Sequence, residues 1–321
     1  MIDGGAGNDT NSFAGIGFGV TAVINEDGNG TASYGSVNET FLSIENLVGS
    51  SNDDVLSAFG TTDHTLLGGD GNDILTGGAG NDLLAGNAGN DILRGAGGND
   101  TAIGGDGNDN LNGGGGNDSL VGNDGDDFFV GIGGTDSIVG GDGFDINSFQ
   151  GIGLGVTATI NGSGSGTATY GLINETFIGI ESLVGSANDD VLIATGSTGR
   201  TLTGLGGNDL IIGSFGSDNL RGGQGDDTIQ GRGGNDSVFG DAGNDTLSGG
   251  AGDDQVFGGV GDDFLTGDNG DDVLAGGDGF DSLFGGNGAD SLFGGDDDDL
   301  LVGGLGLDLL AGQAGDDQEI Q

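Results

Sequence analysis

The chain has no cysteine, no proline, no tryptophan and only four Lys plus Arg among 321 residues. Without cysteine there can be no disulfide, no thiol nucleophile and no thiolate metal site. With 52 Asp plus Glu the formal net charge is −48. That excludes nucleic acid and anionic membrane as partners, since both are polyanions. The single histidine, His64, cannot supply a zinc or copper site. Long apolar runs are also lacking. The stretch from Phe41 to Val48 is among the longest and is far too short to span a bilayer. The opening Met-Ile-Asp-Gly-Gly has neither a basic segment nor an apolar core, so no cleavable signal is expected there. No Gly-x-Ser-x-Gly elbow, His-Glu-x-x-His pair or phosphate-binding loop occurs.

What is present is glycine, 82 residues of it, in strict register. Residues 68–148 read as nine nonapeptides without a slip, beginning GGDGNDILT and GGAGNDLLA. The sixth position is Asp each time: Asp73, Asp82, Asp91, Asp100, Asp109, Asp118, Asp127, Asp136 and Asp145. After an interruption the period returns with Asp209, Asp218, Asp227, Asp236, Asp245, Asp254, Asp263, Asp272, Asp281, Asp290, Asp299, Asp308 and Asp317. Asp9, Asp54 and Asp190 stand at the flanks of the interruptions. Position 8 is apolar, as in Leu75, Leu84, Leu93, Leu111, Leu120, Phe129 and Ile138. Positions 1, 2 and 4 are mostly Gly, which suits backbone with positive φ. The word therefore reads as a six-residue turn and a three-residue strand whose middle residue points inward. One word buries nothing alone, so the chain must stack, two words to an eighteen-residue coil.

Stacking brings aspartates together. Two carboxylates about 5 Å apart repel by roughly 3 kcal/mol at an effective dielectric near 20. Burying one Leu or Ile contributes roughly 1.5–3 kcal/mol. The two are comparable, so the stacked form needs a cation. Ca²⁺ fits best, because it takes six to eight oxygen ligands in irregular geometry, whereas Mg²⁺ demands a tight octahedron. All 25 aspartates named above are candidate Ca²⁺ ligands. The consensus G-G-x-G-x-D-x-U-x resembles the repeats-in-toxin (RTX, haemolysin-type) nonapeptide, and the resemblance covers about 200 residues. It implies an all-β, right-handed parallel β-roll (a β-solenoid), many Ca²⁺ ions held between loops on both edges, type I secretion, and folding on export into millimolar Ca²⁺.

The chain is also duplicated. Residues 4–77 align without a gap to 140–213. This predicts two tandem modules, 1–139 with an insert at 11–57 and an array at 68–139, and 140–321 with an insert at 147–193 and an array at 204–321. In each insert two short strands, GVTAVI and GTASY in the first, flank a turn and predict a β-hairpin. The stretch ETFLSIENLVG then leads back into register at Asp54, and its counterpart at Asp190. The inserts read as structural wedges or caps. His64 aligns with Arg200 and reads as a surface residue.

The functional expectation is a secreted or cell-surface Ca²⁺-binding β-roll without catalysis, acting as a structural scaffold. The alternative is the non-catalytic repeat region of a larger secreted enzyme or toxin. Ice binding would need a Thr row at position 3, where Asp70, Ala79, Ala88 and Gly97 stand instead. Phe239, Phe257, Ala275 and Phe293 are expected to share an outer row, beside Val273 and Leu309, that could pack on a partner. Both ends of the sequence fall within repeats. That makes it a fragment or an open-ended array, and leads to the expectation of head-to-tail self-association in Ca²⁺.

Overall fold

A computed structural model describes residues 1–321, all β-strand and loop, with no helix. Two units are resolved: Met1–Ser148 with Leu172–Ile180, and Phe149–Gly171 with Glu181–Gln321.

In the first unit the array forms two parallel sheets. One contains Thr65–Asp70, Leu83–Ala88, Thr101–Asp106, Ser119–Asp124 and Ser137–Asp142. The other contains Val55–Ala58, Ile74–Gly78, Ile92–Gly97, Asn110–Gly115 and Phe128–Gly131. Register advances by one eighteen-residue coil per step within the array, so position 8 always meets position 8. Leu66, Leu84, Ala102, Leu120 and Ile138 form one inward column; Leu56, Leu75, Leu93, Leu111 and Phe129 form the other. Each is at most 1% exposed. These two columns are the core.

The strands are longer than the period alone suggests. Most array strands hold six residues, positions 7 to 9 and then 1 to 3 of the next word. The glycines continue the ladder, as when Asn87 pairs with Gly105 and Ala88 with Asp106. Their roles also divide differently. Position 2 and position 4 have positive φ, for example Gly105 at +131° and Gly107 at +123°. Position 1 does not, and it is glycine for want of room: a Cβ on Gly104 would stand 2.1 Å from Asp109 Oδ2. At several words where position 2 is another residue the positive φ persists, as in Ala96 (82°), Leu205 (86°) and Arg232 (76°), whereas Ile132 and Ser214 do not adopt it. Each residue that adopts it costs about 1–2 kcal/mol.

The first insert is built from the hairpin expected of it. Val20–Ile24 runs antiparallel to Gly30–Tyr34, which runs antiparallel to Val37–Leu42. The hairpin is part of the roll, because Val20–Ile24 also pairs in parallel with Val55–Ala58. Val20, Ala22, Ile24 and Phe41 are buried.

The second unit repeats the plan. Thr157–Ile160 pairs antiparallel with Gly166–Tyr170 and parallel with Val191–Ala194. Its array places Leu202, Leu220, Val238, Val256, Leu274 and Leu292 in one column and Ile211, Ile229, Leu247, Leu265, Leu283 and Leu301 in the other. The outer row forms as expected, with Phe239 opposite Phe257, Phe257 opposite Ala275 and Ala275 opposite Phe293. Phe239 and Phe257 stack with ring centroids 5.1 Å apart, so part of the row is covered within its own sheet.

Candidate metal centre

Each array aspartate ends a turn whose backbone is set by the glycines before it. Its side chain folds back under the position 1 glycine of its own word and, except at Asp308 and Asp317, is buried. Asp91, Asp109 and Asp127 are 1–2% exposed. One carboxylate oxygen is fully used. The backbone N–H of Asp73 donates to Asp91 Oδ1 at 2.7 Å, that of Asp91 to Asp109 Oδ1 at 2.7 Å, and that of Asp109 to Asp127 Oδ1 at 2.8 Å. The bonds link residues one coil apart and run along each edge of the roll. The opposite edge of the first unit carries Asp82, Asp100, Asp118 and Asp136 in the same relation. Asp227, Asp245, Asp263 and Asp281 repeat it in the second unit, as do Asp236, Asp254, Asp272 and Asp290.

The other oxygen, Oδ2, has no hydrogen-bond partner at Asp73, Asp82, Asp91, Asp100, Asp109, Asp118, Asp127 and Asp136. The same is true of Asp209, Asp227, Asp236, Asp245, Asp254, Asp263, Asp272, Asp281, Asp290 and Asp299, and of Asp9. A buried carboxylate oxygen without a donor is costly unless a cation meets it. Backbone oxygens lie close by. Positions where Cβ atoms would stand on Gly95 lie 2.2 Å from Asp100 Oδ2 and 2.5 Å from the Gly113 carbonyl oxygen of the next coil. The Gly71 carbonyl likewise faces Gly89, and the Asn87 carbonyl faces Gly105. No three His, Asp or Glu side chains converge on one point. A cation in these turns must therefore draw on carbonyl oxygens as well as carboxylates, which suits a hard ion of high coordination number.

Burial dominates the electrostatics. It raises the carboxyls of Asp73, Asp100, Asp109, Asp209, Asp254, Asp263 and Asp272 to about 7, against the backbone N–H bond that lowers them; neighbouring carboxylates push the same way as burial. Asp127, Asp136, Asp227, Asp236, Asp245 and Asp281 are raised to about 6, again chiefly by burial.

Three of the candidate ligands are already satisfied. At Asp54, Val20 N–H and Ser50 Oγ donate to Oδ1 and Ser50 N–H donates to Oδ2. Asp190 has the same arrangement from Val156 and Ser186. Asp218 has it from Arg200 and Ser214. In all three words Ser stands at position 2, a signal present in the sequence. Near the end of the chain Asp308 and Asp317 accept from Asp290 and Asp299 at 3.1 and 3.0 Å but are not buried.

His64 and Arg200 are not surface residues. They are 3% and 5% exposed and occupy the sixth position of their words, where the array has Asp. Their backbone N–H groups donate to Asp82 Oδ1 and Asp218 Oδ1, as an array aspartate's would. Arg200 Nη2 donates to the Asn161 carbonyl at 3.0 Å and Nη1 lies 3.6 Å from Glu181. One extra residue between Asp54 and His64, and between Asp190 and Arg200, brings each to the sixth position.

Position 5 also carries a ladder, which the sequence reading passed over. The N–H of Asn90 donates to Asn72 Oδ1, that of Asn108 to Asn90 Oδ1 and that of Asp126 to Asn108 Oδ1. It runs opposite to the aspartate ladder: the earlier coil accepts and the later donates. The recurrent Asn or Asp at position 5 is its signature.

A family model for RTX calcium-binding nonapeptide repeats, four copies long, matches residues 67–102, 103–134, 195–229, 212–247, 230–265, 266–301 and 293–318, more than half of the chain. No curated protein matches it.

Proposed function

Because the chain belongs to the family of RTX calcium-binding nonapeptide repeats, we propose that it is a secreted or cell-surface structural scaffold, without catalysis, that folds when Ca²⁺ binds. The observation that carries this is the column of buried Oδ2 atoms with no donor. Such a column makes ion binding and folding one event, since the oxygens come together only in the stacked coils. The proposed ligands are the array aspartates with an unpartnered Oδ2, aided by carbonyl oxygens of the glycine positions. Asp54, Asp190 and Asp218 are left out, their oxygens being taken by Ser and backbone donors.

Export follows from the same chemistry. Weak, shared sites would stay empty at low cytosolic Ca²⁺ and fill outside the cell, at roughly 10⁻⁴–10⁻³ M. The reading extends to calcium-driven end-to-end association into a fibre or surface layer. The half-exposed row of Phe239, Phe257, Ala275 and Phe293 is the face on which a partner chain would pack. Circular dichroism across a Ca²⁺ titration tests the core of the proposal. The spectrum should pass from coil to β in that range, and a β spectrum in excess chelator would refute it. Light scattering tests the association separately: a monomer at saturating Ca²⁺ removes the fibre and leaves the calcium-folded roll standing.

A further inference from the structure

The first array does not end on an aspartate. After Ser148 the chain passes into the second unit, and it returns to the first at Leu172 with Glu175 in the register place of the next aspartate. Thr176 pairs with Ser137, Phe177 with Ile138 and Ile178 with Val139, which puts Glu175 opposite Asp136. Glu175 is fully buried. One of its oxygens, Oε1, accepts from Asn147 Nδ2 at 2.5 Å; the other, Oε2, has no partner, and neither has Asn147 Oδ1. Asn147 is itself fully buried, in the inward column where Phe129 precedes it.

The free oxygen of Glu175 is aimed at a particular place. In the array a Cβ on a position 1 glycine would meet two oxygens, the Oδ2 of its own aspartate and the carbonyl of the next coil's glycine. For Gly122 these are Asp127 Oδ2 at 1.9 Å and Gly140 O at 2.7 Å. For Gly131 they are Asp136 Oδ2 at 2.6 Å and Glu175 Oε2 at 3.0 Å. A carboxylate oxygen thus stands where the array has a neutral carbonyl oxygen. The two acids share one buried spot with no basic side chain bonded to either, and burial together with Asp136 pushes the Glu175 carboxyl up to about 8.

We propose that Asp136 Oδ2 and Glu175 Oε2 hold a divalent cation of the Ca²⁺ class at the end of the first array, in a site outside the nonapeptide pattern, with Asn147 as the residue that positions Glu175. The equivalent glutamate of the first insert is built differently. Glu39 accepts from Asn11 Nδ2 on one oxygen and from the Tyr34 hydroxyl on the other, so both of its oxygens are partnered. The duplication therefore carries one ion-binding and one hydrogen-bonded version of the same glutamate. A cation at Glu175 would fasten the returning segment to the coil that precedes the insert.

The inference rests on the calcium-folded reading, and its test separates the two. The full chain is crystallised in CaCl₂ and in TbCl₃, and anomalous scattering locates the ions. The expected result is a peak about 2.3–2.6 Å from Asp136 Oδ2 and Glu175 Oε2, in addition to peaks in the array turns. Peaks in the turns with none at Glu175 overturn this proposal and leave the proposed function intact. Peaks nowhere overturn both. In Glu175→Gln the peak should vanish while the turn peaks stay; its survival there overturns the role of Glu175. In Glu39→Gln every peak should stay, and a loss at Asp136 would overturn the distinction between the two glutamates.

Discussion

Asp109 accepts the backbone N–H of Asp91 at 2.7 Å through one carboxylate oxygen and leaves its other oxygen, buried, without a donor. The first contact fixes where the side chain lies. The second atom is the one the proposed ion would meet. Most array turns repeat this division, so changes at different points of the word should act on different quantities.

Asp254→Asn keeps an acceptor for the N–H of Asp236 and lets its own N–H donate to Asp272 as before. It removes charge from the ion-facing oxygen, with full coils on both sides. The Ca²⁺ midpoint of folding should rise by a few-fold to about tenfold, roughly 1 kcal/mol, and the transition should broaden. Asp317→Asn, in an exposed turn, should move the midpoint little. Equal shifts would argue against ions shared between stacked turns.

Gly104→Ala should damage the turn at Asp109 without touching charge. The new Cβ would stand 2.1 Å from Asp109 Oδ2 on backbone that is not in the left-handed region. Crowding of this kind costs about 1–3 kcal/mol. Thermal unfolding in saturating Ca²⁺ should show the loss, and Ca²⁺ affinity should fall with it, because the displaced oxygen is the one an ion needs. An unchanged melting temperature would contradict the close approach.

Acid should substitute in part for calcium. The array carboxyls are raised to about 6–7 in the fold, against an unfolded value near 4, so the folded chain holds their protons more tightly. Protonation then stabilises the ion-free roll. That contribution is fully present below about pH 4 and is lost as pH rises through 6 to 7. In chelator, the β signal by circular dichroism should be stronger at pH 5 than at pH 7.5. The Ca²⁺ midpoint should move to higher concentration on acidification, because protons compete for the same oxygens. No gain of β structure at pH 5 would show that the carboxyls titrate as if exposed.

Arg200→Ala should destabilise the roll even with Ca²⁺ in excess. The guanidinium is buried, bonds the Asn161 carbonyl, lies near Glu181 and holds the Asp218 carboxyl lower than burial alone would. Removing one partner from such a buried set costs about 3–5 kcal/mol. The melting temperature should drop markedly, whereas Arg94→Ala, at an exposed position, should change it little. Full rescue of Arg200→Ala by added Ca²⁺ would mean that an ion can replace the guanidinium.

The nine-residue period was enough to determine a parallel stack with an eighteen-residue coil and its two apolar columns. The reason is that register in such a stack is a local matter: position 8 can meet only position 8, so Leu75 and Leu93 are neighbours before any coordinates exist. The hairpin of the first insert was legible for a similar reason, a turn between two alternating runs. What only the tertiary structure decided depends on atoms from different coils meeting. Ser50, Ser186 and Ser214 close the carboxylates of Asp54, Asp190 and Asp218 because a hydroxyl at position 2 reaches across the turn. Gly104 is glycine because of the side chain five residues on, not because of its own φ. His64 and Arg200 are buried because one extra residue after Asp54 and after Asp190 carries them to the sixth position, and Glu175 faces Asp136 because residues 39 apart become neighbours in the stack. None of these distances is carried by the period, since each is set by where side-chain atoms meet within a turn or between coils.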